Sequence, residues 1–287
     1  MESEKRTTFV FFGSPRFAEI VFANLIDRGY IPTALVCNPD RPFGRKKIIT
    51  PPPTKQLILD RKLPTQILQP EKLDDAFIEQ LRALKPDFFL VAAYAKIIPD
   101  AVLEIPQFGT LGTHPSLLPS YRGASPIQSV ILAGETVTGT TIYMMDAKMD
   151  HGPMVSQKKI EIDPLTITYP ALEERLAKLS AEILPLAFEL AMDWGGVPEP
   201  QDHAQASFTK KFTTENGFVE YSELDAAIAG NSDKAELIVR TIHALNPEPG
   251  VWTIKDGKRM KLLDARMDGD ALKLLTIQEE GQKPKQA

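Results

Sequence analysis

Apolar positions along the chain alternate between short unbroken runs and longer spaced stripes. Phe9-Val10-Phe11-Phe12 is a continuous run that stops at Gly13. A run without polar alternation is the pattern of a strand buried on both faces. Phe17, Ile20, Val21, Phe22 and Leu25 then recur at helical spacing until Gly29, with Ser14 placed to cap the helix and Pro15 at its first position. Thr33 to Cys37 is a second short strand, so the chain opens as β-α-β and a parallel sheet is predicted. Phe88 to Ala93 and Gly109 to His114 repeat the strand pattern, a further strand starts at Thr140, and Pro64 to Gln69 reads as a connection or short strand. Helices are predicted over 54–61, 74–84 and 100–104 and from Pro126 to Gly134, with Ser125 as cap. A longer one covers 168–194; Leu172, Leu176, Leu179, Ile183, Leu186 and Leu190 mark its buried face, and Pro185 should kink it.

The run Gly195-Gly196-Val197-Pro198-Glu199-Pro200-Gln201 breaks this pattern. Beyond it come a helix over 233–245 and strands over 251–255, 258–266 and 271–278, with Asp256-Gly257 and Asp268-Gly269 as turns. The expected organisation is an α/β domain over 1–194, a linker over 195–207, and a small, mostly antiparallel β domain with a helix over 208–287, of the kind a partly open barrel has.

Composition narrows the function classes. The chain has 287 residues and a formal net charge of −5, which argues against a generally basic nucleic-acid coat while leaving room for a local basic loop. Cys37 is the single cysteine, so no intrachain disulfide forms and a reducing cytoplasm is the expected location. No apolar run approaches the roughly 20 residues of a membrane helix, so no membrane partner is expected, and Phe9 to Phe12 is too brief for a signal-peptide core.

Candidate chemistry collects in loops. The βα turn after Phe12 holds one glycine and lacks the G-x-G-x-x-G pattern, which weakens a nucleotide-cofactor reading. Asn38 to Pro53 is read as a long loop in which Arg41, Arg45, Lys46 and Lys47 surround a Pro/Gly bend, suiting an anionic partner such as an RNA backbone. Tyr94 leaves the carboxyl end of a parallel strand, and His114 ends the next one; ligands bind beyond that end in open α/β sheets. Ser116 to Gly123 is a proline-shaped loop whose main-chain amides suit a planar, amide-bearing ligand. Asp146 and Asp150 follow the strand from Thr140. Together with His114 and His151 they raise a metal site, but the spacing matches no strong ligand motif, and no metal is expected.

Several segments match a known pattern. His114-Pro115-Ser116-Leu117-Leu118-Pro119-Ser120-Tyr121-Arg122-Gly123, followed by Asp150 before Gly152, resembles the signature of folate-dependent formyltransferases. Phe12-Gly13-Ser14-Pro15, Pro39-Asp40-Arg41-Pro42 with Gly44-Arg45, Ala93-Tyr94, Ser125-Pro126-Ile127-Gln128 and Ala244-Leu245-Asn246-Pro247 extend the resemblance to the methionyl-tRNA formyltransferase family over nearly the whole chain. That resemblance implies a Rossmann-like formyltransferase domain joined to an OB-like barrel that binds tRNA. It implies 10-formyltetrahydrofolate as formyl donor and initiator Met-tRNA as acceptor, with the chain a monomer. By the same resemblance His114 and Asp150 are catalytic, Ser116, Leu117, Leu118, Pro119 and Tyr94 contact the folate, and Arg41, Arg45, Lys46 and Lys47 reach the tRNA. Gly112 departs from the family's Asn-x-His pattern: glycine has no side-chain donor, and loss of one oxyanion donor typically costs about 10²–10³ in rate. A water beside Gly112 or His151 is expected to compensate, and Gly112→Asn is expected to raise turnover if the site is incomplete. Ala95, where the family has glycine, is a milder departure. The alternatives are a sugar-nucleotide N-formyltransferase and a non-catalytic folate- or tRNA-binding relative disabled at Gly112.

Overall fold

The computed structural model describes residues 7–44, 46–193 and 198–287. Of the positions singled out above, Arg45, Trp194 at the end of the expected long helix, and the first three linker residues, Gly195 to Val197, lie outside these ranges. The chain divides into two compact units, neither continuous in sequence. One comprises Met1–Arg122, Gly139–Lys158 and Glu174–Ala206, the other Gly123–Thr138, Lys159–Glu173 and Ser207–Ala287.

The first unit is built on a seven-stranded sheet. Its strands lie in the order Met154–Glu161, Val137–Met144, Thr110–His114, Phe88–Ala92, Phe9–Phe12, Ala34–Val36, Gln66–Leu68. The last five are parallel, and Val137–Met144 runs antiparallel to Thr110–His114. From Phe9–Phe12 the chain winds outward to one edge and then returns to the other side of that strand. This is the doubly wound, Rossmann-like order, with its switch point between Phe9–Phe12 and Phe88–Ala92. The apolar runs fill the positions their pattern predicts: Phe9, Val10, Phe11, Phe12, Phe88, Phe89 and Leu90 are at most 1% exposed. Phe188 of the helix Tyr169–Met192 packs its ring against both Phe9 and Phe88. The expected stripe of that helix holds only in part: Leu172, Leu176, Leu179 and Ile183 are buried, but Leu186 and Leu190 are 52% and 44% exposed. A step of about 3.5 residues drifts off a turn of about 3.6, and the buried face continues through Leu184, Ala187, Phe188 and Ala191.

Two local expectations are corrected. Ser14 does not cap the first helix. That helix, Arg16–Asp27, begins after Pro15 with no side-chain cap, and the Ser14 hydroxyl instead accepts a hydrogen bond from the Asn38 amide at 2.8 Å. The long basic loop is not structureless, since Arg41–Phe43 and Ile48–Thr50 pair as an antiparallel hairpin. Its apolar residues face outward, with Phe43 74% and Ile48 and Ile49 62% exposed, so no burial pattern announces the strands.

The second unit carries an antiparallel sheet in the order Trp252–Lys255, Lys258–Asp268, Ala271–Glu279, Lys285–Gln286, together with the helices Tyr221–Ile228 and Ser232–Leu245. Asp256 and Gly257 both take positive φ, 51° and 72°, which is the type I′ requirement of a two-residue hairpin. The helix Tyr221–Ile228 is absent from the sequence reading; only Leu224 and Ala227 of its eight residues are buried, too few to make a stripe. Among the described residues no helix is long and apolar enough to cross a membrane.

Candidate active site

The parallel strand Thr110–His114 is buried throughout and delivers His114 at its carboxyl end. The His114 Nε2 lies 2.9 Å from the Tyr121 carbonyl oxygen, so this nitrogen carries the proton it donates. The opposite nitrogen, Nδ1, faces Asp150 Oδ1 at 3.6 Å. That distance exceeds a hydrogen bond; the contact is electrostatic and becomes an ion pair when Nδ1 takes a proton. The side chains are 7% and 14% exposed, so charge placed there is weakly screened.

Asp150 sits in a left-handed backbone conformation, φ 50°, uncommon for a residue with a Cβ though aspartate tolerates it better than most. Gln201 helps hold it there. Its side-chain amide donates to the Asp150 carbonyl at 3.0 Å and to the Gly152 carbonyl at 2.7 Å. Its oxygen accepts from Arg122 Nε at 3.1 Å and Nη2 at 2.5 Å. Gln201 and Arg122 are 4% and 3% exposed, so one buried amide ties the loop after His114 to the loop carrying Asp150. Arg122 Nη2 also donates to His203 Nδ1 at 3.0 Å. The His203 ring stacks on His151 at 4.0 Å and 7°, and His151 Nδ1 lies 2.7 Å from Asp146 Oδ2. Desolvation, then the positive fields of His151, Arg122 and Lys148, hold His203 below the ordinary histidine range.

Gly112 pairs across the ladder with Tyr143, which puts the two residues side by side on one face. A Cβ at position 112 would meet Tyr143 Cε1 at 2.6 Å, Cζ at 2.7 Å and the hydroxyl oxygen at 2.9 Å. The place expected to hold a water is therefore filled by the Tyr143 ring. The Tyr143 hydroxyl donates to Asp150 Oδ1 at 2.8 Å, and burial, followed by the charge of Asp150, pushes its pKa well above the ordinary phenol value. His151 reaches Asp146, and none of its contacts described here is to Gly112.

The proline loop is fixed from below. Leu118 N–H donates to Thr141 Oγ1 at 3.1 Å, Thr141 Oγ1 donates to the Ser116 carbonyl at 2.7 Å, and Gln157 Nε2 donates to the Leu118 carbonyl at 3.0 Å. Ser116 Oγ donates to the Ser120 carbonyl at 2.6 Å. Ser116 and Leu118 are thereby buried and their polar groups used within the protein, while Leu117 and Pro119 stay half-buried. Tyr94 lies two residues past the end of the neighbouring strand. Its ring meets Phe12 edge-on, its hydroxyl is buried with no partner among the described residues, and burial pushes its pKa up to about 12. Cys37, also buried, is pushed to about 12, which makes it a packed thiol rather than a nucleophile.

The basic hairpin is anchored at its base. Lys55 Nζ lies 2.9 and 2.8 Å from the two Asp40 carboxylate oxygens and 2.8 Å from Gln69 Oε1. Hydrogen bonds from Gln69 and Lys55 hold the Asp40 carboxyl below the usual range. Arg41 pairs with Glu71 at 2.6 Å on the surface, whereas Lys46 and Lys47 are exposed at the bend. Among the described residues no group of three or more His, Cys, Asp or Glu is placed to hold a metal ion.

The structure thus brings His114, Asp150 and Gly112 into one site and adds Tyr143, Gln201, Arg122 and His203, which sequence reasoning missed. Arg122 lay inside the quoted motif without a role. Gln201 and His203 lay in a stretch whose glycines and prolines read as a connector.

The profile of the formyl transferase family matches residues 5–188, and that of the formyl transferase C-terminal domain matches residues 224–272. A methionyl-tRNA formyltransferase of Chloroflexus aggregans is 41% identical over 260 residues, covering 89% of this chain and 79% of that protein. The chain belongs to the methionyl-tRNA formyltransferase family. Two solved structures share its fold. Methionyl-tRNA formyltransferase from Clostridium thermocellum superposes with a TM-score of 0.60 at 16% identity, over 95% of this chain and 98% of that one. HypX from Aquifex aeolicus, in complex with tetrahydrofolic acid, superposes with a TM-score of 0.67 at 14% identity. It is matched over 98% of this chain, which spans less than half (46%) of HypX. The Rossmann-like sheet and the separate antiparallel sheet domain agree with these relatives.

Proposed function

We propose that this chain moves the formyl group of 10-formyltetrahydrofolate to the α-amine of methionine on initiator tRNA, as a monomer in the cytoplasm. The observation that carries the reading is the His114–Asp150 pair, shielded from solvent at the carboxyl end of the parallel sheet in a member of this family. Attack of the amine on the formyl carbon places negative charge on the formyl oxygen. His114 stabilises that oxygen as an imidazolium: Nε2–H stays on the Tyr121 carbonyl, and the proton taken up at Nδ1, the nitrogen beside Asp150, is the one offered to the oxygen. Asp150 takes up the proton that the amine sheds, and one proton is returned to the folate nitrogen as the carbon–nitrogen bond breaks. One proton leaves the amine and one reaches the leaving nitrogen, so no net proton is consumed.

The residues present fit a folate. The half-buried Leu117 and Pro119 offer apolar surface, and the buried, unpartnered Tyr94 hydroxyl is a donor in want of an acceptor. Lys46 and Lys47, with Arg41 and Arg45 beside them in sequence, supply positive charge for the tRNA acceptor end. In this reading residues 1–194 are the catalytic domain, and 208–287 form an OB-like tRNA-binding domain after a linker over 195–207. The acceptor decides the matter. With 10-formyltetrahydrofolate as donor, the chain formylates Met-tRNA and leaves amino-sugar nucleotides untouched. Formylation of the sugar nucleotide, or binding of both substrates without turnover, would overturn the proposal.

A further inference from the structure

We propose that Tyr143 is a working part of this site, a positioning residue that acts through Asp150 and takes over the polar position left bare at Gly112. This rests on the formyl-transfer reading above and adds a residue to it. Three observations converge. First, Gly112 and Tyr143 are cross-strand partners, and the ring occupies the volume that any side chain at 112 would need, with its hydroxyl oxygen 2.9 Å from that Cβ position. The polar atoms of an asparagine amide lie about 2.4 Å from Cβ, so the phenol oxygen stands at a comparable distance from the chain. Second, that hydroxyl donates at 2.8 Å to Asp150 Oδ1, the same oxygen that His114 Nδ1 faces at 3.6 Å. Third, Tyr143 is 4% exposed, and its phenol keeps its proton at any working pH, so the donor is permanent.

The hydrogen bonds of a carboxylate decide which of its two oxygens faces a neighbour. The phenol proton is one of those that hold Asp150 with Oδ1 toward the imidazole. The polar group beside His114 thus arrives from the neighbouring antiparallel strand rather than from its own strand. Glycine at 112 is the steric condition for this arrangement, because every larger residue collides with the ring. The expectation that Gly112→Asn alone raises turnover is thereby reversed; it lowers turnover.

The test is a pair of reciprocal changes. Tyr143→Phe keeps the ring and removes the hydroxyl. It is expected to lower kcat by about 10- to 100-fold through loss of Asp150 orientation, with KM for Met-tRNA and for 10-formyltetrahydrofolate within about twofold of wild type and a melting temperature lowered by a few degrees at most, still well above the assay temperature. Gly112→Asn in a Tyr143→Ala background is expected to recover part of the rate that Tyr143→Ala alone has lost. Full kcat in Tyr143→Phe would overturn the inference while leaving the enzyme reading intact. A loss of kcat that appears only at temperatures where the variant is unfolding would reduce Tyr143 to packing and overturn it as well. Should wild type fail to formylate Met-tRNA, the function reading falls separately. The carboxyl ¹³C resonance of Asp150 then decides the contact, and a shift identical in wild type and Tyr143→Phe would overturn the inference.

Discussion

Gln201→Leu keeps the bulk of the side chain and removes an amide that joins two loops. In wild type the amide donates to the carbonyls of Asp150 and Gly152 and accepts twice from Arg122. Each buried polar group left without a partner costs about 1–3 kcal/mol. Arg122 keeps His203 as a partner and the loops relax in part, so a net loss of about 2–3 kcal/mol is expected. At roughly 2–4 °C per kcal/mol for a unit of this size, the melting temperature falls by about 5–10 °C. The larger effect is on rate. Asp150 holds an unfavourable φ of 50° that Gln201 helps impose, and a carboxylate displaced by about 1 Å costs on the order of 10²-fold. Thermal unfolding and formylation at 25 °C, well below the transition, separate the two. A variant with wild-type melting temperature and kcat would refute the clamp, and one that melts early yet turns over normally would make it structural only.

Other consequences are read out independently. Lys46→Ala and Lys47→Ala should each weaken Met-tRNA binding and lower the salt slope of log K by about 1, leaving folate KM unchanged; an unchanged slope would remove the hairpin from the interface. The His203 value in the folded protein lies below its unfolded value near 6.5. The neutral ring's contribution to the stack on His151 is therefore present above about 6.5 and lost as pH falls through the lower folded value. An NMR titration of the His203 ring protons should show a midpoint below that of an unfolded peptide, and a midpoint at or above it would contradict the described surroundings.

Much of this molecule is legible in its amino-acid order, and the limits have physical causes. Unbroken runs such as Phe9 to Phe12 announce buried parallel strands because neither face meets water. His114 is legible because a strand must end somewhere, and this one ends at a proline loop. The Arg41–Phe43 and Ile48–Thr50 hairpin is not legible, since its apolar side chains are exposed and leave no burial pattern. Ser14 looks like a cap but is drawn to the Asn38 amide by a neighbouring strand, a contact between residues 24 positions apart. Gly112 is the sharpest case. Its own strand shows only a missing side chain, and what replaces it stands 31 residues away on a strand whose register no local pattern reveals.

In the proposed reaction His114 and Asp150 carry formyl transfer to Met-tRNA. The most direct measurement is single-turnover formylation of Met-tRNA by wild type, His114→Ala and Asp150→Ala, with tRNA and folate binding measured on the same preparations. Turnover in wild type and a loss of at least about 10³-fold in each variant, with both substrates still bound, are expected. Wild-type rates in either variant, or binding without turnover in wild type, would contradict that reaction.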